Sequence, residues 1–107
     1  MTKKANLSAL KSVQKSALQA TKLMKVLANR NRLLLLCEIA QGEKCVSDLE
    51  SSTGISQPTL SQQLTVLREN KIVQTRRDGK QIHYTVKSQS ALAIMEVLYE
   101  QFCKKQP

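Results

Sequence analysis

The feature that most constrains this chain is Gly54-Ile55-Ser56, a tight connection between two short amphipathic segments. Upstream, Ser47-Asp48-Leu49-Glu50 fits a capping box and opens a helix to about Thr53. Downstream, Ser56 caps a helix over 56–69, with Pro58 in the first turn, where the amides have no intrahelical partner to lose. Leu60, Leu64 and Leu67 recur at helical spacing and form its buried stripe. Two helices joined by so short a Gly-containing turn make a helix-turn-helix.

The flanking segments extend this unit. Leu7 to Ala28 reads as helix, with Leu10, Ala17 and Met24 in one apolar row and Val13, Ala20 and Leu27 in another. Asn29 is the N-cap of a second helix, Arg30 to Gln41, whose Leu33-Leu34-Leu35-Leu36-Cys37 run predicts burial around much of its circumference; Gly42 stops it. Over 72–86 the pattern is that of a hairpin, or wing. Folding about the Asp78-Gly79 turn pairs Val73 with Tyr84 and Thr75 with Ile82 on one face, leaving Gln74, Arg76, Gln81 and His83 on a polar one. Ser88 or Ser90 caps a last helix to about Cys103. Its apolar residues cover most of its circumference, so it needs its own domain on one side and a second subunit on the other. The predicted fold is mainly α, order ααααββα: a winged helix-turn-helix of five helices and one hairpin. It forms a single domain over 1–107 with residues 1–6 frayed, and a homodimer through the first and last helices.

Charge points to the partner. Lys and Arg total 17 against 8 Asp and Glu, a net +9 that attracts a polyanion by neutralising phosphates and releasing counterions. With two Tyr, one Phe and no Trp, stacking on single strands is disfavoured, which leaves double-stranded DNA. With the three leucines inward, Pro58, Ser61, Gln62 and Thr65 point outward and Gln57 projects from the helix tip. Gln pairs with adenine through two hydrogen bonds and Ser or Thr serves either base type, each good pair contributing about 1–3 kcal/mol of discrimination. Arg68, Lys71, Arg76, Arg77 and Lys80 are the phosphate-contact candidates, Arg77 and Lys80 flanking the wing turn. Each residue alone reads equally well as a solvated surface; the uncharged polar patch after a turn favours base reading.

No apolar stretch is long enough to span a membrane, and the first residues lack the apolar run of a signal peptide, so a cytoplasmic location is expected. Three cysteines there are not a disulfide framework. No Ser-His-Asp set, phosphate-cradling Gly loop or defined carboxylate pair is present, so neither enzymatic activity nor a cofactor is expected.

Ala28-Asn29-Arg30-Asn31-Arg32-Leu33, Val46-Ser47-Asp48-Leu49, Ser56-Gln57-Pro58-Thr59-Leu60-Ser61-Gln62-Gln63-Leu64 with Leu67-Arg68, and the wing from Ile72-Val73 through Arg76-Arg77-Asp78-Gly79-Lys80 to Tyr84 together resemble the ArsR/SmtB family of repressors over about residues 20–103. The resemblance implies a dimer on an imperfect inverted repeat of operator DNA, released when an inducer binds or reacts. It places Gln57, Pro58, Ser61 and Gln62 near bases. The family usually has Ser or Ala where Pro58 stands, so polar readout is lost at that step.

The same resemblance bears on the inducer. A family metal site uses a Cys-Val-Cys pair; here that stretch is Cys45-Val46-Ser47, one thiolate short, and the last helix has neither the Asp nor the His of a second family site. Metal sensing is thus disfavoured. His83, on the wing, reads as a surface or phosphate-contact residue, and Cys45 as an incidental, partly exposed thiol. Cys37 in Leu-Leu-Cys and Cys103 in Leu98-Tyr99-Glu100-Gln101-Phe102-Cys103 resemble the BigR/SqrR-type persulfide-sensing branch. There, reactive sulfur species convert two thiols to a disulfide or polysulfide bridge and lift repression, by implication of sulfide-detoxifying genes. Lys104 and Lys105 beside Cys103 favour its thiolate, whereas the leucines and Glu38 keep Cys37 protonated. General oxidant sensing, metal sensing through Cys45, and a constitutive nucleoid-type binder with structural cysteines are the alternatives.

Overall fold

The computed structural model describes residues 7–103, with side chains from residue 11 on. The frayed segment expected at 1–6, the side chain of Leu10, and Lys104 and Lys105 lie outside the described residues. Helices α1 (Leu7–Leu27) and α2 (Arg30–Ala40) precede a short strand β1 (Lys44–Cys45); α3 (Val46–Thr53) and α4 (Gln57–Glu69) follow. Strands β2 (Val73–Asp78) and β3 (Gln81–Val86) lead into α5 (Gln89–Leu98), which ends in a π-helical turn, Tyr99–Cys103. No described helix is long and apolar enough to cross a membrane.

One core unites these elements. Leu35, Leu36, Leu49, Leu60 and Leu67 are fully shielded, and Leu64, Ile72, Val73, Tyr84, Ala91 and Met95 complete the cluster. The α4 stripe is the one its spacing predicts. Ile55, in the α3–α4 connection, also inserts into the core and so pins the turn between the two helices. Gly54 caps α3 in the left-handed region at φ 72°, its amide donating to the Glu50 carbonyl at 3.0 Å. Asn29 caps α2 as expected, its side chain accepting from the Arg32 amide at 3.0 Å.

Three expectations need correction. First, β1 pairs antiparallel with β3 through Lys44↔Tyr84 and Cys45↔His83, making a three-stranded sheet in the order β1-β3-β2. A two-residue strand carries no periodic signal; only β3 beside it creates the pairing. Second, Val73 pairs with Val86, Thr75 with Tyr84, and Asp78 with Gln81. The turn is therefore Gly79-Lys80, with Gly79 at φ 65° in the first central position, as a II′ turn requires. The pairing slips by two residues, and because side chains alternate with a period of two, every residue keeps its predicted face. Third, α3 starts at Val46 with Cys45, not Ser47, at its N-cap; the Asp48 carboxylate accepts from the Cys45 amide at 3.1 Å and from its thiol at 3.2 Å. Cys45 is consequently buried rather than partly exposed.

The outer helices are left bare. Val13, Leu18 and Met24 on α1, and Val97, Tyr99 and Phe102 at the C-terminal end, are all more than half exposed. Among the described side chains of α1, Val26 and Leu27 are buried in the core and Leu23 packs partly against it, whereas α5 buries Ala91 and Met95.

Candidate nucleic-acid interface and thiol pair

The leucine stripe fixes the rotation of α4. With Leu60, Leu64 and Leu67 inward, Gln57, Pro58, Ser61, Gln62 and Thr65 all lie on its exposed face. Thr65 spends its hydroxyl on the Ser61 carbonyl at 2.9 Å, which ties one donor into the helix. Beside this face, Ser47 of α3, Gln57 of α4 and Lys80 and Gln81 of the wing line one cleft of about 290 Å³. The wing and the N-terminus of α4 therefore border the same surface.

The cationic candidates divide. Arg68, Lys71 and Lys80 are exposed. Arg77 folds back, its Nε donating to the Gly79 carbonyl at 3.2 Å. Arg76 is held in a two-pronged pair with Glu43, at 2.7 and 2.8 Å, which lowers the Glu43 carboxyl below its usual range and raises Arg76. Its guanidinium is thus committed to a partner that sequence reading did not supply. His83 is half-buried: β1 pairs with its strand, and its Nε2 is shut from solvent with no hydrogen-bond partner among the described residues. Lys71 has a second feature. It holds φ 60° just after α4, with its amide donating to the Arg68 carbonyl at 3.0 Å and the Ile72 amide to the Leu67 carbonyl at 2.9 Å. These are the two bonds of a Schellman cap, whose left-handed position is usually Gly.

The thiols form a second locus. Cys37 and Cys103 are free and exposed; Cys45 is free and buried. Cys37 and Ala40 of α2 and Gln41 at its C-cap line an open groove of about 940 Å³ together with Leu92, Met95 and Tyr99 of the C-terminal region. Neighbouring atoms still crowd the Cys37 thiol, and this burial, then Cys103, then Glu38, push its pKa up. Cys103 is among these influences although 66 residues separate the two cysteines in the chain. Among the described residues no cluster of His, Cys, Asp and Glu suits a metal ion.

A model of the arsR family of bacterial regulatory proteins matches residues 29–75. The biofilm growth-associated repressor of Agrobacterium fabrum is 49% identical over 94 residues, covering 88% of this chain and 80% of its own length. The chain belongs to the ArsR family.

Two solved structures place this ArsR-family regulator further. The crystal structure of the transcriptional repressor BigR from Xylella fastidiosa superposes with a TM-score of 0.82 at 44% identity, over 89% of this chain and 97% of that one. Reduced HlyU from Vibrio cholerae gives 0.83 at 34% identity, over 87% and 98%. The regulator is a winged-helix transcriptional repressor of the BigR type, and not an enzyme.

Sequence reading missed two residues that hold members of the candidate DNA surface in place. Glu43 occupies Arg76, and Arg32 reaches Gln63 on α4. Neither carries a local signal, since the partners lie 33 and 31 residues away.

Proposed function

We propose that the regulator is a cytoplasmic homodimer that binds an inverted-repeat operator and releases it when reactive sulfur species bridge Cys37 and Cys103. Gln57, Pro58, Ser61, Gln62 and Thr65 read bases from the major groove; Arg68, Lys71, Arg77 and Lys80 hold phosphates, joined by Arg76 once it leaves Glu43. The bare apolar residues of α1 and of the C-terminal end support dimerisation through these elements, because exposed apolar patches of this kind mark interaction surfaces. In such a dimer the two recognition helices sit about one DNA turn, roughly 34 Å, apart.

What supports the inducer reading is that Cys37 on α2 and Cys103 on the C-terminal turn are both exposed while the third thiol is buried, and that Cys103 is one of the influences on Cys37. The chemistry balances with a persulfide as oxidant. Its sulfane sulfur passes to the Cys103 thiolate, releasing the donor as a thiol. Cys37, once deprotonated, attacks the Cys103 sulfur and expels hydrosulfide, closing a disulfide. The two protein thiols lose two electrons and the sulfane sulfur gains them; a second persulfide leaves extra sulfur in the bridge. The raised pKa of Cys37 suits it to the second, slower step. That a relative has a named reduced form, HlyU of Vibrio cholerae, favours redox over metal input.

The test treats reduced protein with a persulfide donor and, separately, with peroxide, then measures intact mass and DNA affinity. A Cys37–Cys103 bridge with weakened DNA binding from the persulfide alone establishes the reading. Equal responses identify a general oxidant sensor. If both thiols stay free, or DNA affinity is unchanged by the bridge, sulfur sensing is wrong.

A further inference from the structure

Arg32, near the start of α2, stands where three helices meet. A helix leaves its last four carbonyls without intrahelical donors. In α1 the Ala28 amide reaches Met24 at 2.9 Å and the Asn29 amide reaches Leu27 at 2.8 Å. Arg32 takes the other two, its Nε donating to the Val26 carbonyl at 2.6 Å and its Nη2 to the Lys25 carbonyl at 3.4 Å. The cation also sits at the negative end of the α1 dipole. Its remaining prong, Nη1, donates to Gln63 Oε1 on α4 at 2.7 Å.

The far end of this bond matters. Gln63 is half-buried and stands three residues after Leu60 and four before Leu67, so it flanks the core stripe of the helix whose exposed face carries Ser61, Gln62 and Thr65. Leucines resist translation of α4 but resist rolling about its own axis weakly, because their contacts are non-directional. A directional hydrogen bond at the margin of the stripe opposes that roll. Side-chain tips stand about 6 Å from a helix axis. A roll of roughly 10° therefore moves them by about 1 Å, enough to break a base contact whose working range spans about 0.5 Å.

We infer that Arg32 is the positioning residue of the DNA-reading helix, setting the roll of α4 against the end of α1 through Gln63. It contacts no base itself. A guanidinium suits the task because its planar fork serves three acceptors in fixed directions, which an ammonium does not. If α1 is the dimer helix, the same bond sets each reading helix relative to the two-fold axis.

The inference rests on α4 reading DNA, and the experiment separates the two. Wild-type protein selects duplexes from a random pool; affinities for the selected duplexes and for the unselected pool are then measured across salt concentrations, beside thermal unfolding. Arg32→Lys and Gln63→Leu should each weaken selected-duplex binding about tenfold, the order of one lost base contact. Pool affinity and salt slope should stay unchanged, so the ratio falls. Gln63→Glu, which keeps the acceptor, should restore the ratio. Should Gln63 instead touch DNA directly, Gln63→Glu would bind worst and Arg32→Lys would match wild type, overturning the inference. An unchanged ratio in both variants, or equal losses on both DNAs, overturns it too. If wild-type protein selects no sequence, the reading role of α4 fails and this inference with it.

Discussion

Among the described residues, two positions hold the left-handed conformation at helix ends, and they are filled in opposite ways. Gly54 closes α3 at φ 72°; Lys71 closes α4 at φ 60°. An L-residue in that region costs about 1–2 kcal/mol through crowding of its Cβ against the carbonyl. Lys71→Gly removes this cost but loosens the unfolded chain, returning about 0.4–1 kcal/mol. The net is a gain of roughly 0.5–1 kcal/mol, or about 2–8 °C in Tm for a domain of this size. Both Schellman bonds are main-chain bonds and survive the change. Gly54→Ala is the reciprocal experiment. A Cβ there meets no neighbouring group within 4 Å, so the loss comes from the local backbone conformation alone, about 1 kcal/mol. Thermal unfolding of the three proteins at one concentration, which a dimer demands, checks both signs. A Lys71→Gly protein no more stable than wild type, with Gly54→Ala undiminished, would refute the reasoning. Lys71→Gly also tests function: if Lys71 holds a phosphate, the salt slope of DNA binding should fall by about one unit while stability rises. Lysine would then occupy a glycine position at a cost in stability, for the sake of charge on the DNA side.

Two further predictions concern charge. Glu43→Gln should free Arg76, strengthen DNA binding evenly across sequences and steepen the salt slope by about one unit; an unchanged slope means that Arg76 does not reach the phosphates. The Glu43 carboxyl is held below its unfolded value, so its stabilising effect is present above that value and disappears as pH falls through the folded one. The raised pKa of Cys37 makes its alkylation slow at neutral pH and faster as pH rises, with a midpoint above that of an ordinary thiol. Cys103→Ser removes one of the three influences and should move that midpoint down, as read by mass spectrometry of alkylated Cys37; an unmoved midpoint would show that the two sulfurs do not interact.

The exposed face of α4 and its supporting stripe are legible in the sequence because both are local. Leu60, Leu64 and Leu67 fix which way α4 turns, and a 3.6-residue period then dictates that Ser61, Gln62 and Thr65 face outward. The wing kept its two faces despite a slipped register, since face depends only on parity. The turn itself was misplaced by one residue: Asp78-Gly79 signals a turn, but which residue takes the first central position depends on how the strands pair.

What the sequence determined by itself was thus the set of helices, their buried stripes, the charge that seeks DNA and the family motifs. The tertiary structure alone decided everything that rests on a partner far along the chain. It brought Lys44 and Cys45 beside β3 and so buried Cys45 and the Nε2 of His83; it gave Arg76 to Glu43; it made Cys103 an influence on Cys37; and it joined three helices through Arg32. The physical reason is common to all of them. Periodicity and capping are encoded within a few residues, whereas a hydrogen bond, an ion pair or a shift in thiol pKa depends on a distance of a few ångströms that exists only after the core has closed.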